Sequence, residues 1–141
     1  TEQIRDTTFE KELLRQLDWT IDGLRPYVVP ADPSLLEQIT LDDIQRGITI
    51  AANGFYGAQG RSLRLPLTDP ELNRKIEAFD FEGQRITNFE MESSALAGLS
   101  ALMGHRALTV CCIIAGRVDK NMNTDYKTSL IQLIEKVIER I

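Results

Sequence analysis

The spacing of apolar residues along the chain predicts helices separated by short strands. A first helix is expected over 8–18, because apolar residues recur there at helical spacing and a capping-box pair stands at the start. The apolar stripe consists of Phe9, Leu13, Leu14 and Leu17, and the pair is Thr7 and Glu10. The stripe predicts that one face of this helix packs against the core.

Proline and glycine mark the limits of the other predicted helices. Asp32-Pro33 opens a short helix to Ile39, and Asp69-Pro70 opens another, since aspartate caps a helix and proline suits its first turn. The segment 89–103 is expected to be helical at its C-terminal end, with Gly104 as its stop. Residues expected to face the core are Leu72, Ile76 and Phe79, then Leu96, Leu99, Leu102 and Met103, and finally Leu130, Leu133, Ile134, Val137, Ile138 and Ile141 of a last helix over 125–141.

Three segments have the composition of strands. The run 47–52 is dense in β-branched residues, 84–88 is a shorter candidate, and 107–115 is continuously apolar, as in a strand buried on both faces. Helices alternating with strands indicate the α/β class. Three strands are fewer than an independent sheet usually has, so the α/β domain is expected to be incomplete. The start at Thr1 rather than at methionine agrees with a chain that is part of a longer product.

Composition and charge limit the classes of function that the chain can have. The 141 residues suit one modest domain, and 16 basic against 21 acidic side chains give a net charge of −5, which argues against nucleic acid as a partner. No apolar run approaches the roughly 18 residues of a membrane span. Cys111 and Cys112 are adjacent and cannot staple a loop, which favours a reducing, cytoplasmic location. With a single histidine and no ligand cluster, no metal site is expected.

The loop 53–61 is the first candidate for chemistry. It follows the predicted strand 47–52, and ligands of open α/β sheets bind beyond the carboxyl ends of strands. Phe55 offers a flat apolar surface, Gln59 a donor and an acceptor, and Arg61 a fixed positive charge. A planar heterocycle with carbonyl and N–H groups would match this set. The alternative is a solvated turn with Arg61 on the surface and Phe55 in the core.

Two further segments carry candidate binding groups. Glu90 and Glu92 flank Met91 at a helix entrance, where a carboxylate can accept two hydrogen bonds from a vicinal diol such as that of ribose. Acidic residues also simply favour the first turn of a helix. Arg117 follows the predicted strand 107–115 and either reaches a ligand in the same cleft or lies on a surface loop.

Taken together, these motifs resemble the nucleoside phosphorylase family of the uridine and purine phosphorylases, and within it the uridine phosphorylases. The resemblance rests on Phe55-Tyr56-x-x-Gln59-x-Arg61, on Asn88-Phe89-Glu90-Met91-Glu92-Ser93 and on Ile113-Ile114-Ala115-Gly116-Arg117. It implies that residues 1–141 are the C-terminal half of one three-layer α/β/α domain with a central mixed sheet, and that the N-terminal, phosphate-binding half is absent from this chain.

The resemblance also implies a role for each residue of these motifs. Phe55 would stack near sugar and base, Gln59 and Arg61 would hold the uracil edge, and Arg61 would stabilise the departing base. Glu92 would take the ribose hydroxyls with Met91 beside it and Glu90 in support. Ile114 and Ala115 would line the base pocket, and Arg117 would close over it. Purine-directed relatives carry an acid directly after this strand; here Gly116-Arg117 stands there, with Asp119 two residues further on.

The activity expected from the resemblance is phosphorolysis of uridine in pyrimidine salvage. Phosphate is the co-substrate, no cofactor is required, and the phosphate site, together with a histidine from a neighbouring subunit, is expected outside this chain. The expected assembly is a homo-oligomer based on dimers, possibly a hexamer. Three alternatives stay open: a purine nucleoside phosphorylase, a nucleosidase that uses water, and a non-catalytic nucleoside-binding or assembly module.

Overall fold

The computed structural model of the chain describes residues 2–116 and 120–141. The chain divides into two compact units, one formed by Thr1–Pro30 with Arg46–Ala107 and the other by Ala31–Gln45 with Leu108–Ile141. Within the described residues no helix is both long and apolar enough to span a membrane.

Five α-helices and two strands are present among the described residues. The helices are α1 (Thr7–Gln16), α2 (Pro33–Ile39), α3 (Leu72–Ala78), α4 (Ser93–Leu102) and α5 (Tyr126–Arg140). The strands are β1 (Ile48–Ala51) and β2 (Ile86–Glu90), and short 3-10 turns cover Glu2–Ile4 and Gly57–Gln59. The predicted α/β class is confirmed.

The sheet of the first unit is a parallel pair. β1 and β2 are in register from Thr49 opposite Asn88 to Ala51 opposite Glu90, with an irregularity after Ile48. The Ala52 N–H donates to the Glu90 carbonyl at 2.9 Å and extends the ladder by one bond. Parallel pairing therefore brings the carboxyl ends of both strands to one edge of the sheet.

An aromatic cluster forms the core of the first unit. Phe79 is completely buried at the end of α3, and its ring lies 5.4 Å from that of Phe9 on α1. Phe81 packs edge-on against Phe9, and Leu17 and Ile76 are buried nearby in the sequence positions that the apolar stripes predict. α1 and α3 are thus anchored as expected.

The start of α1 differs from the predicted capping box. Asp6, not Thr7, is the N-cap, and its side chain accepts the Phe9 N–H at 2.8 Å. Glu10 turns instead to the chain around it: Arg5 donates two hydrogen bonds to it, and the Val28 N–H donates a third at 2.9 Å. Burial of this carboxylate is compensated because all three donors converge on it.

In the second unit, α2 and α5 are joined by charged contacts. Asp32 caps α2 as predicted, and its side chain accepts the Leu35 N–H. Asp43 pairs with Lys136 at 2.7 Å and with Arg140 at 2.9 Å, and Arg140 also donates to the Ile39 carbonyl at the end of α2. These bonds fix the C-terminal turn of α5.

The prediction of a buried strand over 107–115 is wrong. Among the described residues of this segment, only Ala115 pairs, in an isolated antiparallel bridge with Met122, and Ile113 and Ile114 are exposed. A strand needs a neighbour to satisfy its N–H and C=O groups, and β1 and β2 are the only strands that the described chain supplies. The apolar composition of 107–115 suits a strand, but it does not supply a second strand with which the segment could pair.

The faces of α4 and α5 expected to be buried are also largely exposed. On α4, Leu96 is 64% exposed, and Leu99, Leu102 and Met103 are similarly open. On α5, Leu130, Ile134, Ile138 and Ile141 are exposed, whereas Leu133 and Val137 are half-buried. The helical spacing predicted both helices correctly, but among the described residues most of the side chains expected to face the core are exposed.

Candidate active site

The two candidate segments of the first unit lie at the same edge of its sheet. β1 runs into the loop 53–61, and β2 ends at Glu90, directly before Met91 and Glu92. Since Ala51 is paired with Glu90 in a parallel register, both segments leave from adjacent points. This is the edge at which α/β sheets bind ligands. The structure therefore places the starts of the two segments side by side, although Ala51 and Glu90 are far apart in the sequence.

The loop 53–61 is organised around the carbonyl of Tyr56. That oxygen accepts the N–H groups of Gln59 at 3.0 Å and Arg61 at 2.9 Å, so the chain folds into a compact turn. Gly60 closes the turn in the left-handed conformation, with a φ of 69° that a residue with a side chain rarely adopts. The turn fixes Gln59 and Arg61 next to each other.

Phe55, Gln59 and Arg61 form one cluster. The Arg61 guanidinium stacks 3.9 Å from the centroid of the Phe55 ring and donates to the Gln59 Oε1 at 2.6 Å and to the Phe55 carbonyl at 2.5 Å. Gln59 is 4% exposed, whereas Phe55 is 52% exposed. The expected alternative of a Phe55 ring tucked into the core is thus wrong. The cluster places a half-exposed aromatic ring beside a guanidinium cation and a buried amide.

Glu90 organises the entrance to α4. Its carboxylate accepts the Glu92 N–H at 2.8 Å, the Ser93 N–H at 2.7 Å and the Ser93 hydroxyl. Burial alone would raise the pKa of Glu90, but the hydrogen bonds from Ser93 and from the backbone N–H groups outweigh it, so the pKa lies below its ordinary value. Glu90 is therefore an ionised structural group whose oxygens are already engaged.

Glu92 is the exposed carboxylate of the pair. It is the N-cap residue of α4 without a capping side-chain bond, and its Oε2 accepts the Met91 N–H at 3.2 Å. Met91 beside it is exposed as well. An exposed carboxylate of this kind can accept hydrogen bonds from two neighbouring hydroxyl groups. The two carboxylates predicted from the sequence therefore differ in role: Glu90 supports the turn before α4, and Glu92 is exposed.

The remaining predicted residues belong to the second unit. Ile114 and Ala115 are exposed, and the Ile114 carbonyl accepts the Asn123 N–H at 2.7 Å. Arg117 and Asp119 lie outside the described residues. The proximity of these residues to the loop 53–61 stays a prediction. Across residues 2–116 and 120–141, no three side chains of the metal-ligating types cluster at binding distance.

Sequence reasoning missed the contacts that support these groups. Thr49 donates its hydroxyl to the Asn88 Oδ1 at 2.8 Å across the strand pair, and the Asn73 amide donates to the carbonyls of Gln59 and Gly60. Asn73 lies 13 positions beyond Gly60 on a different element, so no local pattern identifies it. Only the fold reveals that α3 touches the loop.

Comparison with known proteins gives a consistent result. The sequence model of the phosphorylase superfamily matches residues 4–141. A uridine phosphorylase of Thermococcus kodakarensis is 38% identical over 78 residues, which cover 51% of this chain and 25% of that protein. Uridine phosphorylase A of Schistosoma mansoni is 34% identical over 94 residues, which cover 64% of this chain and 31% of that protein.

A solved structure shares the fold. A nucleoside phosphorylase of Trypanosoma brucei, whose crystal structure is described as showing uridine phosphorylase activity, superimposes with a TM-score of 0.78 at 25% identity. The match covers 93% of this chain and 48% of the trypanosomal one. The chain thus spans a quarter to a third of the curated relatives it matches and just under half of this structure.

Proposed function

The chain belongs to the phosphorylase superfamily, and from that membership we propose that the protein containing it cleaves uridine with phosphate, giving uracil and ribose 1-phosphate. The observation that carries the proposal is the cluster of Phe55, Gln59 and Arg61 at the carboxyl edge of the strand pair. The uridine phosphorylase relatives and the trypanosomal neighbour support the same substrate class.

Uracil is the base that this cluster suits. Its ring is flat and carries alternating carbonyl and N–H groups, so it can lie against Phe55 while Gln59 offers an amide and Arg61 offers N–H donors. The positive charge of Arg61 favours a ring that becomes anionic as it leaves. A purine instead calls for an acid at its N7 edge, and the residue after Ala115 is Gly116.

Glu92 is proposed to hold the sugar. An exposed carboxylate at the end of β2 can accept hydrogen bonds from the 2′ and 3′ hydroxyls, with Met91 against the ribose. Glu90 does not contact the substrate in this scheme. It keeps the turn at Glu92 and Ser93 in place, and so it acts as a positioning residue.

The reaction displaces one bond at the anomeric carbon. A phosphate oxygen forms a bond to C1′ as the bond from C1′ to N1 of uracil breaks, and its electron pair leaves with the base. Negative charge therefore grows on uracil in a transition state that resembles an oxocarbenium ion. Arg61 and Gln59 stabilise that charge, an effect typically worth about 3 kcal/mol per fixed donor. Glu92 contributes by orienting the sugar.

The rest of the site is proposed to come from outside residues 1–141. The phosphate groups and a histidine from a neighbouring subunit complete it, in a cytoplasmic homo-oligomer built from dimers. Ile114, Ala115 and Arg117 are proposed to complete the base pocket. In this scheme the chain is the C-terminal part of one phosphorylase domain and supplies the recognition of base and sugar.

The test is release of the free base by the full protein, uracil from uridine and hypoxanthine from inosine, in the presence and absence of phosphate. Release from uridine alone, and only with phosphate, is the expected result. Arg61→Ala should lower kcat/KM about 100- to 1,000-fold, whereas Arg64→Ala, an exposed arginine three residues on, should not change it.

Other outcomes would contradict the proposal in distinct ways. Release without phosphate would indicate a nucleosidase, and cleavage of inosine would indicate a purine phosphorylase. If uracil binds without being released from uridine, the protein is a binding module. In each case Arg61→Ala, compared with Arg64→Ala, tells whether the cluster is the site involved.

A further inference from the structure

The carbonyl oxygens of the loop 53–61 are contacted by a side chain from α3. The Asn73 Nδ2 donates to the Gln59 carbonyl at 3.3 Å and to the Gly60 carbonyl at 3.4 Å. These two carbonyls belong to the peptides that join Gln59 to Gly60 and Gly60 to Arg61. One amide group therefore holds the backbone on both sides of Gly60, between the two side chains proposed to bind the base.

A side chain at position 60 would displace the Asn73 amide from this contact. A Cβ atom on Gly60 would lie 2.3 Å from the Asn73 Nδ2 and 2.6 Å from its Cγ, well inside van der Waals contact. Gly60 also has a φ of 69°. The backbone conformation therefore favours glycine here, and the missing side chain leaves the space that the Asn73 amide occupies.

Asn73 connects the loop to a fixed part of the core. It occupies the second position of α3, and the same helix buries Ile76 and leads into the fully buried Phe79. Within the loop, the Tyr56 carbonyl accepts the Gln59 and Arg61 N–H groups, and the Arg61 guanidinium donates to the Phe55 carbonyl. Asn73 is therefore the link through which a rigid helix determines where Gln59 and Arg61 lie.

Among the described residues, only the donor half of the Asn73 amide makes hydrogen bonds. Among the described residues its Oδ1 is buried without a hydrogen-bond partner. A buried carbonyl in that state costs free energy that an apolar side chain would not incur. The donor half of the amide is the useful half, and both of its bonds go to the loop.

We infer that Asn73 is a positioning residue for base recognition, acting through the backbone of Gln59 and Gly60 rather than by touching the substrate. The inference rests on the proposed function of that loop. Loss of the amide donor leaves the Gln59 and Arg61 side chains chemically intact but lets their backbone move. We therefore expect the loss of this amide to impair recognition of the base and to leave the use of phosphate unchanged.

The experiment compares Asn73→Ala and the isosteric Asn73→Asp, which replaces the donor by an acceptor, with Arg74→Ala as the control on the next residue of α3. Arg74 pairs with Glu71 on the surface, and among the described residues it makes no hydrogen bond to the loop 53–61. In the full protein, kcat/KM for uridine should fall about 10- to 100-fold in both Asn73 variants. The KM for phosphate should stay unchanged, and so should both parameters in Arg74→Ala.

Two further readouts separate positioning from general destabilisation. Hydrogen exchange at the amides of Gln59, Gly60 and Arg61 should accelerate in the Asn73 variants while the amides of β1 keep their protection. In an Arg61→Ala background, Asn73→Ala should cost much less than it does alone, because the group it positions has gone. A purely structural residue would add its full effect.

The results distinguish this inference from the proposed function. An active wild-type enzyme whose Asn73 variants keep the wild-type kcat/KM for uridine would overturn the role of Asn73 alone. A wild-type protein that neither cleaves uridine nor binds uracil would refute the proposed function, and the substrate role of Asn73 with it. Equal losses for uridine and phosphate would also overturn the inference.

Discussion

The Glu90 carboxylate accepts the Ser93 hydroxyl at 2.5 Å, and this bond closes the turn from which Glu92 projects. Two backbone N–H groups, of Glu92 and Ser93, donate to the same carboxylate. Glu90 thereby satisfies the start of α4 from outside the helix, a task that a capping side chain usually performs. One carboxylate is engaged within the protein so that the next one remains available.

The stability that Glu90 contributes should depend on pH. Its pKa is lowered, so the folded state favours the ionised form, and the contribution is complete above the ordinary pKa of a glutamate. It is lost as the pH falls through the lowered value. Glu90→Gln should cost about 1–2 kcal/mol at neutral pH and less near pH 3. Thermal unfolding of both proteins across that range measures the difference, and a gap that is constant with pH would contradict the assignment.

Glu92 should discriminate ribose from deoxyribose. Glu92→Gln weakens hydrogen bonds from the hydroxyls to a charged acceptor, which are worth about 1.5–3 kcal/mol. We therefore expect kcat/KM to fall at least about 10-fold more for uridine than for 2′-deoxyuridine, since the latter lacks one of the two hydroxyls. Glu82→Gln, an exposed acid in the turn before β2, is the matched control. Equal losses for both substrates would place Glu92 away from the diol.

Phe55 should contribute to uridine binding through its exposed ring. Phe55→Ala removes the face on which Arg61 stacks at 3.9 Å, a contact of about 0.5–2 kcal/mol, so KM for uridine should rise about 3- to 30-fold. Tyr56→Ala is the comparison, because it keeps the carbonyl that organises the loop. A Tyr56→Ala enzyme impaired as strongly as Phe55→Ala would show that the loop needs both rings for its shape.

Glu10 should be essential for the stability of the first unit. It is 2% exposed and accepts hydrogen bonds from Arg5 and Val28. The bonds from Arg5, stronger than the opposing effect of burial, lower the pKa of Glu10. Glu10→Leu should lower the free energy of unfolding by about 2–4 kcal/mol, because it leaves both donors without their acceptor. Glu12→Leu, which removes a more exposed ion pair with Arg15, should cost far less in chemical denaturation.

The exposed apolar face of α4 should cause self-association when the 141-residue chain is produced alone. Leu96, Leu99 and Leu102 are each more than half exposed, and contiguous apolar surface of this kind drives association. We expect the isolated chain to self-associate and to bind a hydrophobic dye. Leu96→Ser with Leu99→Ser should reduce both effects. A monomeric, dye-free chain with a cooperative unfolding transition would contradict this prediction.

Local chemistry in the sequence predicted those parts of the fold that depend on local interactions. Asp32-Pro33 starts a helix because the cap and the proline are adjacent, and Phe79 is buried because its helix has one apolar face. The segment 107–115 shows the opposite case. Its β-branched and apolar residues suit a strand, but pairing requires a neighbour elsewhere in the chain, and composition contains no information on that neighbour.

The same distinction holds in the candidate site: a cluster of residues close in sequence could be predicted, and a contact between distant residues could not. Phe55, Gln59 and Arg61 are close in sequence, so a glycine-rich loop was enough to suggest that they act together, and the stacking of Arg61 on Phe55 agrees with it. Asn73 was not predictable, because its contact with Gly60 depends on how α3 packs against the loop 53–61. The different roles of Glu90, which supports the turn before α4, and Glu92, which is exposed, could not be predicted from the sequence because the two side chains are identical.

The parallel register of Ala51 with Glu90 has a consequence for how specificity can change. The group proposed to read the base follows one strand and the group proposed to read the sugar follows the next, and each is carried by its own loop. Evolution or protein engineering could therefore replace the loop 53–61 by one that binds another ring and leave Met91 and Glu92, the residues proposed to hold the ribose, unchanged. Selectivity for base and for sugar would be two separable traits rather than one.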